Sequence, residues 1–143
     1  MTDYFDRSIA FVLKQEGGYV NDPRDAGGET NFGISKRAYP SLDIKALIQT
    51  EAVEIYRRDY WQKAGCDKME WPLCLVVFDT GVNCGVGRAQ NFNARALNWS
   101  DIIFTRIEHH MKSYPSPFLK TWINRCLALW REAKSPTDEH PVS

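Results

Sequence analysis

Glu16, Asp25 and Thr30 stand nine and then five residues apart in the stretch EGGYVNDPRDAGGETNFGIS, residues 16–35. A carboxyl group on one side of a bond, with a carboxylate or a carboxylate-held water on the other, is the pair that glycosidic-bond hydrolysis uses. A hydroxyl such as that of Thr30 is suited to positioning the water. The place of Glu16 sharpens this reading. Phe5, Ile9, Val12 and Glu16 fall at i, i+4, i+7 and i+11, so the glutamate extends an apolar helical stripe. Partial desolvation disfavours its carboxylate. The partial negative charge of a helix C-terminus does so too, and Gly17 and Gly18 mark that end. Both effects favour the neutral acid, the form a proton donor needs. Gly27 and Gly28 permit a tight reversal that brings the loop back over the helix end. Tyr19, next to the double glycine, is then placed to line a groove. The ordinary alternatives are a Glu16 in a frayed last turn facing water, an Asx turn at Asp25 after Pro23, and solvated Asp22 and Glu29. The acidic spacing does not match the alternating ligands of an EF-hand loop, and no His or Cys lies nearby. No metal and no organic cofactor is expected.

The elements that must hold these residues read as helices. Asp3 is the expected cap of the first. Ser35 and Asp43 are suited to capping short turns. TEAVEIYRRDYWQK starts at Thr50 and stops at Gly65. Pro72 opens PLCLVVFDTGVN, which is apolar nearly all round and is expected to be the central buried helix. Gly85 and Gly87 separate it from RAQNFNARALN. Ser100 is the expected cap of DIIFTRIEHHMKSY, with Ile103, Ile107 and Met111 in line. FLKTWINRCLALWREAK carries Phe118, Trp122, Cys126, Leu129 and Ala133 on one stripe. No strand pattern and no internal repeat is found. Asp79 sits in the apolar run LVVFDTG and must be paired, with Arg58 as the expected partner. Tyr56 and Tyr60 share a helix face. The tryptophans are expected mostly in the core, and His109, His110 and His140 on the solvated surface.

At 143 residues the chain is one domain, residues 1–134, with a polar tail over 135–143 expected to be disordered. The chain is also compatible with being the catalytic piece of something longer. A formal net charge of zero argues against bulk capture of nucleic acid or anionic lipid. The charge is nonetheless divided. Residues 1–34 hold six acids and three bases, and residues 88–134 hold eight bases and three acids, so an acidic face opposite a basic one is expected. The four cysteines form no CxxC and sit in or beside apolar sequence, which reads as buried free thiols in a reducing compartment. MTDYFDRS is not a signal sequence, and the longest apolar run, residues 73–78, falls far short of the roughly 20 residues of a membrane span. The glycines of VNCGVGRA match neither phosphate-loop pattern.

Taken together, EGGYVNDPRDAGGETNFGIS, YRRDYW and FDTGVNCGVGRA resemble the phage-type peptidoglycan muramidases of glycoside hydrolase family 108 and the related phage endolysins. The resemblance covers residues 3–97, and FLKTWINRCLALW is also similar. It implies an all-α, compact helical domain similar to the α-lobe of the lysozyme fold. It implies cleavage of the β-1,4 bond between N-acetylmuramic acid and N-acetylglucosamine in bacterial peptidoglycan. The family's catalytic glutamate is the one in EGGY, here Glu16. The Glu–Asp–Thr order is similar to that of other phage lysozymes, whose loop between Asp and Thr is one residue longer than the one between Asp25 and Thr30. VNCGVGRA is also similar to the YNxGxG segment of lytic transglycosylases and goose-type lysozymes, which implies Asn83 as a substrate contact. Such sites place a tyrosine hydroxyl near the acid, which implies Tyr60. Relatives often carry a wall-binding DGxxGxxT region, whereas here NARALNWSDIIF follows directly. The implied partner is the peptidoglycan glycan strand, met by a monomer without nucleic acid or stable membrane contact. The implied setting is synthesis in the host cytoplasm and action in the periplasm. Two alternatives stay open. One is a lytic transglycosylase giving 1,6-anhydromuramic products. The other is a catalytically silent virion or cell-wall-binding protein that keeps the fold.

Overall fold

The computed structural model describes residues 4–137. The expected cap at Asp3, the surface position of His140 and the tail beyond Thr137 lie outside the described residues. Helix α1 (Phe5–Glu16) buries Phe5, Ile9 and Val12 on the predicted stripe, with Ser8 and Phe11 beside them. It stops at Gly17, whose φ of 74° is left-handed and whose N–H returns to the Leu13 carbonyl.

The chain then forms what the sequence reading did not expect, a three-stranded antiparallel sheet in the order β1 (Val20–Asn21), β2 (Glu29–Asn31), β3 (Ile34–Ser35). Strands of two or three residues are too short to show an alternation. The second hairpin pairs Asn31 with Ile34 across a two-residue turn in which Phe32 (φ 52°) and Gly33 (φ 80°) are both left-handed. That conformation is costly for a bulky residue. Tyr56 offsets the cost by donating its hydroxyl to the Phe32 carbonyl at 2.7 Å. The buried Asn31 side chain donates to the carbonyls of Ile44 and Leu47 at 3.0 and 3.2 Å, which ties the sheet to the next loop. Ser35 and Asp43 cap the following turns as expected, accepting from the N–H groups of Ala38 and Ala46.

Helix α2 (Gln49–Tyr56) widens into a π-helical turn over Arg57–Gln62, and the segment ends at Gly65 before a 3₁₀ turn, Cys66–Lys68. Helix α3 (Leu73–Cys84) is the expected central helix. Cys74 through Gly81 are all buried, and α1, α4 (Val86–Arg95), α5 (Trp99–Met111) and α6 (Leu119–Lys134) pack around it. Phe5, Trp61 and Phe78 meet at centroid distances of 5.3 to 5.8 Å and form the aromatic centre of the core. The domain is mostly helical. Trp61 is buried and Trp71 and Trp99 pack on the core, but Trp122 is half-buried and Trp130 exposed.

Two expectations for α5 are corrected. Its cap is Asn98, whose Oδ1 accepts from the Asp101 N–H at 3.2 Å, while Ser100 donates its hydroxyl to that same oxygen. Its buried face is Ile102, Ile103, Arg106 and His110, with Met111 left exposed. Helix α6 buries Arg125 along with Cys126, Leu129 and Ala133. Two arginines of the expected basic face therefore point inward. Cys66, Cys74 and Cys126 are buried free thiols and Cys84 is half-buried. Among the described residues no helix is long and apolar enough to cross a membrane.

Candidate active site

Glu16 closes α1 where the chain leaves the helices for the sheet. Its side chain is 20% exposed, so its carboxyl lies at the edge of the core. The sequence reading left this acid without a charged partner, and the structure supplies one. Arg125 of α6 donates from Nη1 to Glu16 Oε1 at 2.5 Å. The same guanidinium grips Asp79 of α3, from Nη2 at 2.7 Å and Nε at 3.1 Å to Oδ1. The other oxygen of Asp79 accepts from Arg106 Nη1 of α5 at 2.7 Å. Arg106 also donates to Thr80 Oγ1 at 3.3 Å. Asp79 and Arg106 are wholly buried. The pairing expected for Asp79 is thus met by Arg125 and Arg106. Arg58 is exposed and pairs with Asp59 at 2.7 Å. Burial opposes ionisation of Asp79, but Arg125 and Arg106 outweigh it and hold the carboxyl below its usual range. The cluster joins two carboxyl groups to two guanidiniums. Removing one member of such a buried group typically costs about 3–5 kcal/mol.

The hairpin turn roofs this acid. A Cβ on Gly33 would lie 2.6 and 2.7 Å from Glu16 Cγ and Cδ, and closer still to Tyr56 Oη. Only glycine lets the backbone come down so far. The tyrosine hydroxyl that reaches the turn above Glu16 is that of Tyr56, which the sequence reading passed over. The Tyr60 ring packs against it, tilted by 53°, at a centroid distance of 5.4 Å. Burial pushes both hydroxyls up, so they remain neutral donors.

The remaining predicted residues spread around this point. Asp25 is exposed, and its Oδ1 accepts from the Gly27 N–H at 2.9 Å, an Asx turn. A Cβ on Gly27 would touch both Asp25 Oδ1 and Ser35 Cβ, so this carboxylate lies beside β3. Thr30 pairs in register with Val20 and Ser35, and its side chain leaves the sheet on the face opposite buried Asn31. Tyr19 is exposed and donates to Glu29 Oε2 at 2.6 Å, a bond that pushes its hydroxyl up. The Lys45 ammonium lies 5.9 Å from its ring. Arg24 reaches from this loop to within 5.5 Å of the Phe118 ring at the start of α6.

Asn83 lies in the last turn of the central helix, and its Oδ1 lies 3.0 Å from His110 Nε2. His110 is buried and stacked on Trp122 at 5.1 Å, not on the surface as expected. Burial, aided by Arg106, His109 and Arg125, pushes it down to about 4, so it is neutral at pH 7. Arg106 Nε lies 3.5 Å from the same ring nitrogen. Glu16, Arg125, Asp79, Arg106, His110 and Asn83 therefore form one continuous polar chain through the core. Among the described residues no group of His, Cys, Asp and Glu could hold a metal ion.

The profile of the family Glycosyl hydrolase 108 matches residues 9–85, more than half of the chain. The chain belongs to that family. It is a glycosyl hydrolase, and its substrate is a glycan. The family-108 match spans Glu16, Asp25, Thr30, Gly33, Tyr56, Asp79 and Asn83, and ends before Arg106 and Arg125. The solved structure of Brucella abortus SagA is similar to this family-108 domain with a TM-score of 0.76 and 26% identity, covering 90% of this chain and 92% of that one. No protein of the curated set matches the sequence.

Proposed function

We propose that this glycosyl hydrolase is a phage endolysin cutting the β-1,4 bond between N-acetylmuramic acid and N-acetylglucosamine in peptidoglycan. Glu16 is its general acid. The observation that carries the reading is the setting of Glu16, a carboxyl anchored through one oxygen beneath a glycine turn on a family-108 framework. Oε2 has no hydrogen-bond partner among the described residues and is the atom that gives its proton to the glycosidic oxygen. Arg125 steadies the carboxylate left behind. Thr30 and Asp25, on the sheet side, hold the attacking water or face the oxocarbenium-like charge. Tyr19, Tyr60 and Asn83 are the proposed glycan contacts. The enzyme is made in the host cytoplasm and acts in the periplasm.

Purified Gram-negative peptidoglycan digested by wild type and by Glu16→Gln, with products read by mass spectrometry, tests this. General acid catalysis contributes about 10²–10⁴-fold, so the variant should release no detectable muropeptides while wild type releases ones with reducing muramic ends. Anhydro ends would make the protein a lytic transglycosylase with the same acid. Equal cutting by both would remove Glu16 from the chemistry. Binding to the wall by both without cutting would identify a silent wall-binding protein.

A further inference from the structure

A buried carboxylate with two arginines needs a reason to be tied to a third element that carries the acid. Asp79 does not touch Glu16, yet both take hydrogen bonds from one guanidinium, Asp79 from Nη2 and Nε and Glu16 from Nη1. Two consequences follow. The fork fixed on Asp79 aims the third donor, Nη1, at Glu16, so the acid's position is set by α3 as well as by its own helix. The single positive charge of Arg125 is also divided between two carboxylates, and the share left to Glu16 depends on how much Asp79 takes. Arg106 enters at the next step, because its bond to Oδ2 satisfies part of the demand of Asp79.

We propose that Asp79 is a positioning residue for the acid: acting through Arg125, it sets both the aim and the positive charge that Glu16 receives. This rests on the reading of Glu16 as general acid. The groups that face Glu16 from other elements are Arg125 on α6, Asp79 behind it on α3, Arg106 of α5 beyond Asp79, Tyr56 of α2 at the hairpin turn, and Tyr60 of the π-helical turn. Both tyrosines are neutral, so the balance lies among the arginines and Asp79.

The sign of the effect is fixed. Asparagine at position 79 removes a negative charge, leaves Arg125 more strongly positive toward Glu16 and so favours its carboxylate. The alkaline limb of the pH–rate profile moves to lower pH. Removing the cation, by Arg125→Gln, moves the limb the other way. The experiment measures kcat/KM against pH on purified peptidoglycan for wild type, Asp79→Asn, Arg125→Gln and Glu16→Gln, with folding checked by circular dichroism. Opposite shifts of the limb in the first two variants are the expected result. Folded variants that lose rate evenly at all pH values, with the limb unmoved, would make Asp79 a structural residue and overturn the proposal. Where Asp79→Asn does not fold, Arg125→Lys decides. One ammonium cannot fork onto Asp79 and still reach Glu16, so the limb should rise, and an unmoved limb overturns the proposal. Retained activity in Glu16→Gln would instead overturn the assignment of the acid itself. An inactive Glu16→Gln with an unmoved limb sinks this inference alone.

Discussion

Gly33→Ala adds one methyl group where the hairpin turn rests on the acid. The added carbon would stand 2.6 and 2.7 Å from Glu16 Cγ and Cδ, inside any real carbon contact, and would also strike Tyr56 Oη. Neither neighbour can step aside freely. Tyr56 is buried with its hydroxyl tied to the Phe32 carbonyl, and Glu16 is held by Arg125. Two costs add. Holding alanine at a φ of 80° costs about 1–2 kcal/mol. Overpacking a fixed site costs about 1–3 kcal/mol more. A sum of roughly 2–5 kcal/mol lowers the melting temperature by about 6–15 °C in a domain of this size. Gly65→Ala supplies the control, because its φ of 79° carries the left-handed strain while nothing lies within 4 Å of the new carbon. It should melt only about 3–6 °C lower. The difference between the two variants isolates the clash. Displacing Glu16 by the needed ångström should also reduce peptidoglycan clearance by about 10²-fold in Gly33→Ala alone. Calorimetric scans and a turbidity assay on both proteins measure this. If they melt together and clear cell walls at equal rates, the hairpin does not rest on Glu16 and the roof described above is wrong.

Tyr56→Phe removes the donor to the Phe32 carbonyl and leaves that group unpaired beside the core, at a cost of about 1–3 kcal/mol. The urea midpoint should fall, and an unchanged midpoint would show that the left-handed Phe32 needs no such support. His110 predicts a pH dependence of stability. Its folded value of about 4 lies below the ordinary 6.5, so between them the unfolded chain binds the extra proton and stability is lost as pH falls through that window. The loss should reach on the order of 2 kcal/mol by pH 4. Urea titrations at pH 7 and 4.5 should show this slope in wild type and a flatter one in His110→Gln, and equal slopes would remove His110 as the source.

The helices were legible because their apolar residues repeat at a helical period and Gly17, Gly65 and Gly85 end them. Glu16 was legible for the same reason, since it continues the stripe of Phe5, Ile9 and Val12. The sheet was hidden because its strands are two or three residues long and its turn carries Phe32 where asparagine or glycine would have announced it. The burial of Asp79 could be read from its apolar neighbours, but its partners could not. Arg106 and Arg125 are distant in sequence, and each lies beside an apolar stripe that was read without it. The signal that was available is one of demand. A buried carboxylate needs cations from the interior faces of other helices, and Arg125, next to Cys126, stands on such a face. His110 was misplaced because all three histidines were read together as surface residues, whereas its place on α5 stacks it on Trp122 of α6.

Glu16 and Arg125 are separated by 109 positions. A ribosome adding about 5–20 residues per second makes the second of them roughly 5–20 s after the first. The hairpin, the central helix, α4 and α5 are all synthesised in that interval, yet Glu16 lacks its anchor until α6 arrives. Fixing the proposed acid in place therefore waits for α6, and a nascent protein cut short before that helix would carry Glu16 without Arg125 to hold it.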